Sequence, residues 1–209
     1  MVKPVGGLLR PGGPYARPDA EMAKVAGFSR DINAQREEAK KLLREAGVPD
    51  GFQFTLKNRD TPNPYETIGV FLIDQWRQIG VKVDHQQLEL AAYFSSMSSG
   101  NYEVIVDSFT DYSPDPNTGV IKYISTDRSP QAFSRHTDRK LDELFDLQAK
   151  TTDKVERRKL VRQLDIALDD GDPARGSLRA GTTGATGLVA ISAANPLDDA
   201  NSHTVCASL

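Results

Sequence analysis

The sequence predicts an α/β fold, with a βαβαβ core over residues 52–109 and a helical hairpin after it. Three observations carry that prediction. Short segments of strand-like apolar pattern recur between segments of helical period, joined by brief connections. Two further helical patterns stand next to each other at residues 137–150 and 153–170. Beyond Gly171 the apolar pattern thins out.

The chain has 209 residues and a formal net charge of −3, so it is long enough to bury a sizeable core. A near-neutral balance gives no electrostatic reason to expect nucleic acid as a partner, since phosphate neutralisation needs a basic surface. No apolar run approaches the ~18 residues of a membrane-spanning helix. The single cysteine, Cys206, excludes an internal disulfide framework and a cysteine-based zinc site. Met1–Pro18 holds four glycines and four prolines but no apolar h-region, and reads as an irregular crossing segment over residues 1–30 rather than an export signal.

Residues 30–46 predict a helix. Ile32, Ala39, Leu42, Leu43 and Ala46 fall roughly on one face, Gly47 suits the C′ position, and Pro49 blocks resumption. Phe52, Phe54 and Leu56 alternate with polar residues, the period of a half-buried strand. Asn63, Pro64 and Glu66 read as a capping box that opens a helix carrying Tyr65, Ile68, Leu72, Trp76 and Ile79 and ending at Gly80. Val81 and Val83 start a second strand running to about Leu88. A shorter helix, Leu90–Ser99, ends at Gly100. Val104-Ile105-Val106 and then Phe109 form a third strand whose unbroken apolar run suits cover on both faces. Such a βαβαβ order predicts a parallel sheet.

After the turn-rich stretch 110–119, Leu141, Leu144, Phe145 and Gln148 line one helix. Val155, Leu160, Val161, Leu164 and Leu168 line the next, and Asp153 with Glu156 forms a second capping box. From Asp172 to Leu209 there is no aromatic residue and no lysine, and Gly, Ala, Ser and Thr supply 20 of the 38 residues. Only 187–191 offers an apolar run, so residues 171–209 are expected to be a low-complexity tail, largely disordered or weakly docked.

In open α/β sheets, ligands bind beyond the carboxyl ends of the strands. Asp111 and Tyr112 lie just past Phe109 at such an end. A carboxylate there pairs with a ligand cation, and Tyr112 and Phe109 supply apolar contact; a solvated loop is the other reading. Asp107, Asp111 and Asp115 recur every four residues, with His136 further on, which suggests either a divalent-metal site or turn-forming aspartates. Pro114 and Pro116 forbid the helix that would align the three. Gly181–Gly187 lacks the lysine of a phosphate-binding loop.

The stretch from Arg36 to Gly47, continuing through Val48-Pro49-Asp50-Gly51-Phe52, resembles the extracellular solute-binding proteins of family 5. So do Phe71, Asp74-Gln75-Trp76-Arg77, Ile79-Gly80-Val81-Lys82-Val83, Ala92-Tyr93 and Gly100–Val104. The resemblance continues in Asp111-Tyr112-Ser113-Pro114-Asp115-Pro116, Leu141-Asp142-Glu143-Leu144 and Thr152-Asp153. It covers roughly residues 10–170. It implies part of a type II periplasmic-binding-protein lobe, spanning residues 31–170, that captures a peptide or related small solute for an ABC importer without catalysis. It further implies a permease partner, a monomer, a periplasmic or extracellular location and no cofactor. Asp111, just before Tyr112, resembles the aspartate that pairs with a peptide amino terminus, although Ser108 and Phe109 replace the family's usual tryptophan-containing neighbours. The family's first lobe and export signal are expected to be missing, and the tail to reflect an altered gene end. The competing readings are a metal-dependent hydrolase built on Asp107, Asp111 and His136, and a protein-interaction module on the helices at 137–170.

Overall fold

The computed structural model describes residues 9, 12–24, 31–109, 115–133, 137–169, 177–180 and 188–193. For residues 108, 109, 169 and the last two segments it describes the backbone alone. The helices are α1 (Asp19–Met22), α2 (Ile32–Glu45), α3 (Thr67–Arg77), α4 (Leu90–Ser99), α5 (Pro116–Val120), α6 (Arg139–Lys150) and α7 (Lys154–Asp169). The strands are β1 (Gln53–Arg59), β2 (Lys82–Leu88), β3 (Val104–Phe109), β4 (Ser177–Ala180) and β5 (Leu188–Ala193). A helical turn, Pro62–Glu66, precedes α3.

The five strands form one sheet in the order β2-β1-β3-β5-β4. β1 lies between β2 and β3 and is parallel to both, as the βαβαβ order predicts. β5 joins the other side of β3 in antiparallel register, Phe109 opposite Leu188 and Val104 opposite Ala193, and β4 pairs with β5. These two strands fall inside the segment expected to be a low-complexity tail, largely disordered or weakly docked, and β5 overlaps its one apolar run. The other residues of 171–209 lie outside the described ones.

Alternation along the strands makes two faces. On one, Leu56, Val104 and Val106 pack with Ala39 and Leu43 of α2 and with Ile68, Leu72 and Trp76 of α3. The Phe54 and Trp76 rings meet edge-on at 5.0 Å, which places Trp76 in the core. On the other, Ile105 packs with Tyr93 and Met97 of α4 and with Tyr102. β3 is therefore covered on both sides. α2 ends as its sequence predicts: Gly47 adopts φ 79°, its N–H bonds the Arg44 carbonyl at 3.0 Å, and the Val48 N–H bonds Leu43 at 2.9 Å. That pair of bonds satisfies carbonyls the helix would leave open, in a conformation a side chain resists.

Three local expectations are corrected. Asn63 is extended (φ −129°, ψ 126°) and joined to Pro64 by a cis peptide, so it splits the turn and its side chain caps nothing. The turn closes instead through the backbone, with the Glu66 N–H on the Thr61 carbonyl at 3.1 Å. Leu42 is 48% exposed, because α2 buries only the narrow stripe of Ala39 and Leu43, four residues apart. Val155 is 61% exposed, because α7 buries Leu160, Val161, Leu164 and Leu168, and Val155 stands about 180° around the helix from Leu164 at about 100° per residue. The second capping box fares better: Asp153 accepts from the Val155 and Glu156 amides at 3.0 and 2.8 Å.

α6 and α7 pack against Val120, Tyr123 and Ile124 through Leu141, Leu164 and Leu168. Charged groups fasten this second unit. Arg17, 148 residues away in sequence, donates to the Asp165 carboxylate at 2.8 Å and to the Asp165 carbonyl at 2.9 Å, and both side chains are buried. The N-terminal segment is thus pinned to α7. Among the described residues no helix is long and apolar enough to cross a membrane.

Candidate functional site

β1 and β3 run parallel, so their carboxyl ends point the same way. β1 ends at Arg59, whose guanidinium lies within reach of three rings: Tyr65 at 4.4 Å, Tyr93 at 4.7 Å and Phe94 at 4.8 Å. Tyr65 comes from the turn before α3, and Tyr93 and Phe94 come from α4. The register pairs Leu56 with Val104 and Lys57 with Ile105. Arg59 and Asp107 each lie two residues beyond the Lys57–Ile105 pair, and the Arg59 guanidinium is on the face covered by α4.

Among the described residues, no ion pair involves Arg59, and its buried Nε has no hydrogen-bond partner. A cation held over aromatic faces keeps its charge at small desolvation cost. It can then offer planar donors to a carboxylate. The ring hydroxyl of Tyr93 donates to the Val106 carbonyl at 2.7 Å, which ties α4 to β3. Burial, and after it the charge of Asp107, raises the Tyr93 pKa, so this phenol stays protonated and the tie persists.

Asp107, one of the predicted carboxylates, is 6% exposed and paired with Lys122 at 2.5 Å. Asp115 caps α5, accepting from the Asn117 amide at 2.9 Å, and is held by the Arg157 guanidinium at 3.0 and 3.3 Å. It is a turn aspartate, and it faces α7. Asp111, Tyr112 and His136 lie outside the described residues. Phe109 is placed by its backbone as the last residue of β3. Among the described residues no three His, Cys, Asp or Glu side chains converge as a metal site.

Arg59 and its rings escaped the sequence reading. In the sequence Tyr65 belongs to the helical pattern that ends at Gly80, and Tyr93 and Phe94 fall within the helix Leu90–Ser99. The signal was present nonetheless: the rule that directs attention to the residues after β3 applies equally to the end of β1.

The sequence profile of "Bacterial extracellular solute-binding proteins, family 5 Middle" matches residues 2–131, and the chain belongs to that family. It is 24% identical over 150 residues to the dipeptide-binding protein of Escherichia coli K12, covering 69% of this chain and 28% of that protein. It is 27% identical over 143 residues to heme-binding protein A of Haemophilus influenzae, covering 66% and 26%. The chain thus spans about a quarter of the length of these curated relatives.

Among solved structures, Burkholderia pseudomallei OppA superposes with a TM-score of 0.70 at 19% identity, covering 99% of this chain and 38% of that one. The periplasmic binding protein DppA of Helicobacter pylori, solved with the peptide STSA, gives 0.67 at 19% identity, covering 92% and 35%. These likenesses establish the fold, a partial type II periplasmic-binding-protein lobe.

Proposed function

We propose that this chain supplies one wall of a solute-binding protein that captures peptides or related small solutes for an ABC importer, without chemistry on the solute. The supporting observation is the Arg59 guanidinium, caged by three rings and in no ion pair among the described residues, at the carboxyl end of a strand parallel to β3, whose last residue, Phe109, Asp111 follows in sequence. A zwitterion offers the matching pair of charges. Its carboxylate meets Arg59, its ammonium meets Asp111, and Phe109 and Tyr112 contact what lies between. Several relatives are named for dipeptides or tripeptides, which supports this class of solute. By the same kinship the partner is a membrane permease and the location is periplasmic or extracellular. The chain acts as a monomer, and no cofactor is needed for capture.

One lobe tested by itself presents part of the enclosing wall and is expected to bind weakly. Chemical-shift titration with Ala-Ala, N-acetyl-Ala-Ala and Ala-Ala-amide tests the reading. Free Ala-Ala is expected to move resonances at the ends of β1 and β3. Blocking the amine is expected to abolish the dependence on Asp111, seen with Asp111→Asn. Blocking the carboxylate is expected to abolish the dependence on Arg59, seen with Arg59→Gln. Equal response to all three ligands, or shifts confined to other regions, overturns it.

A further inference from the structure

We propose that His85 is a proton-operated latch on the Arg59 end of this edge: its neutral imidazole accepts from Asn58, and protonation releases the backbone that presents Arg59 and Tyr65. The proposal rests on the solute-capture reading of the same edge and assigns its regulation.

Asn58 is fully buried, one residue before Arg59, on the opposite face of β1. Its carboxamide is committed on both ends. Oδ1 accepts from the Arg59 backbone N–H at 2.9 Å. Nδ2 donates to the Tyr65 carbonyl at 2.6 Å and faces His85 Nε2 at 3.4 Å. The Arg59 bond fixes which end is oxygen, so the group facing His85 is a donor. His85 Nε2 must accept, and its proton therefore sits on Nδ1.

Neither group has room to retreat toward α3. A Cβ built on Gly69 would stand 2.7 Å from Asn58 Nδ2 and 2.8 Å from His85 Nε2. One buried carboxamide thus couples an imidazole on the α3 face to the guanidinium cage on the α4 face.

The charged groups facing His85 are Glu66, from the turn before α3, and Asp84, on its own strand. Asn58, Leu56 and Gly69, its other close neighbours on β1 and α3, do not titrate. Burial is the largest influence and lowers the His85 pKa; Glu66 and Asp84 oppose it. A depressed pKa keeps the imidazole neutral at neutral pH and lets it charge only below the ordinary value of about 6.5. Protonation then sets an N–H on Nε2 against the N–H of Asn58 Nδ2. Two donors cannot share that contact, so Asn58 must shift, and with it its bonds to Arg59 and Tyr65.

Long-range nitrogen–proton spectra of the histidine rings, recorded across pH on the chain as it stands, test the latch. His85→Gln serves both as assignment control and as a non-titrating acceptor. The expected result is an Nδ1–H tautomer for His85 at pH ~7.5, a midpoint below about 6.5, and backbone amides of Arg59 and Tyr65 that follow the same midpoint. Those amide titrations are expected to vanish in His85→Gln. Ala-Ala, used as the probe solute, is expected to bind roughly 2- to 12-fold more weakly in acid, the worth of one hydrogen bond, and equally at both pH values in His85→Gln. An Nε2–H tautomer, or Arg59 and Tyr65 amides indifferent to His85, overturns the latch. Ala-Ala without effect at either pH counts against the solute reading, while the ring and amide titrations still decide the latch.

Discussion

The sheet unit and the helical hairpin unit are held together by different physics. Around β1, β2 and β3 the contacts are apolar: Leu43, Leu56 and Leu72 are all 1% exposed or less, and Trp76 is 2% exposed. Around α6 and α7 a smaller apolar cluster is surrounded by carboxylates and guanidinia. Arg17 meets Asp165, Arg157 meets Asp115, and Asp142 accepts from the Ser125 amide at 2.9 Å and from Arg139 at 3.0 Å. The first unit relies on the removal of apolar area from water, which is non-directional and tolerant of small shifts. The second relies on charge pairs whose desolvation must be matched by geometry, so it fails when one partner is lost.

The largest effect should come from breaking the buried pair. Asp165→Ala leaves Arg17 charged and buried, and is expected to cost about 3–5 kcal/mol. Hydrogen exchange should show the loss first in α7 and the N-terminal segment, with β1–β3 protected. Equal deprotection of both units would erase the contrast drawn above. Replacing both partners, Arg17→Met with Asp165→Leu, should recover much of that loss, since both charges of the pair are then removed together.

Leu72→Ala comes next, at about 2–5 kcal/mol in denaturant melts, with the larger value if the walls of the cavity stay in place. Its exchange signature should be the reverse, spreading through β1, β2 and β3. Gly69→Ala pushes a methyl group into Asn58 and His85 and should cost about 1–3 kcal/mol, the usual penalty of overpacking.

Acid distinguishes the units more gently. Burial alone would raise the Asp142 pKa, yet the Ser125 amide and hydroxyl, Arg139 and Arg128 together hold it below its ordinary value. Asp115 is lowered in the same way, with burial outweighed by the Asn117 amide and Arg157. A folded-state carboxyl below its unfolded value contributes stability above the unfolded pKa, and that contribution disappears as pH falls through the folded one. The hairpin should therefore lose exchange protection below about pH 4 before the sheet unit does.

The smallest effect is at the surface. Lys41 lies 3.4 Å from Glu38 with both side chains more than half exposed, and Lys41→Ala should change stability by less than about 1 kcal/mol.

Much of the sheet unit was readable from residue order. The alternation of Phe52, Phe54 and Leu56, the unbroken run Val104-Ile105-Val106 and the stop signals Gly47, Gly80 and Gly100 all found their elements. The errors there were of degree: Leu42 sits at the margin of a stripe narrower than its period suggested, and Asn63 adopts an extended backbone instead of a cap. The hairpin helices were equally readable, but their fastenings were not. Nothing in the neighbourhood of Arg17 announces a partner 148 residues later. The site divided along the same line. The loop after β3 was nominated by a general rule about strand ends, and Asp111, Tyr112 and Phe109 stay proposals on that basis. Arg59 and its rings became visible only when three segments met.

Local order in the chain was enough to set the class of fold and the succession of strands and helices. Those features follow from hydrophobic period and turn chemistry, which act over a few residues. Which charges would face which rings, that Asp107 meets Lys122, and how Asn58 joins His85 to Arg59 were decided by folding alone. Each of these depends on side chains brought together from distant segments, where burial strengthens every charge and every unmet hydrogen bond.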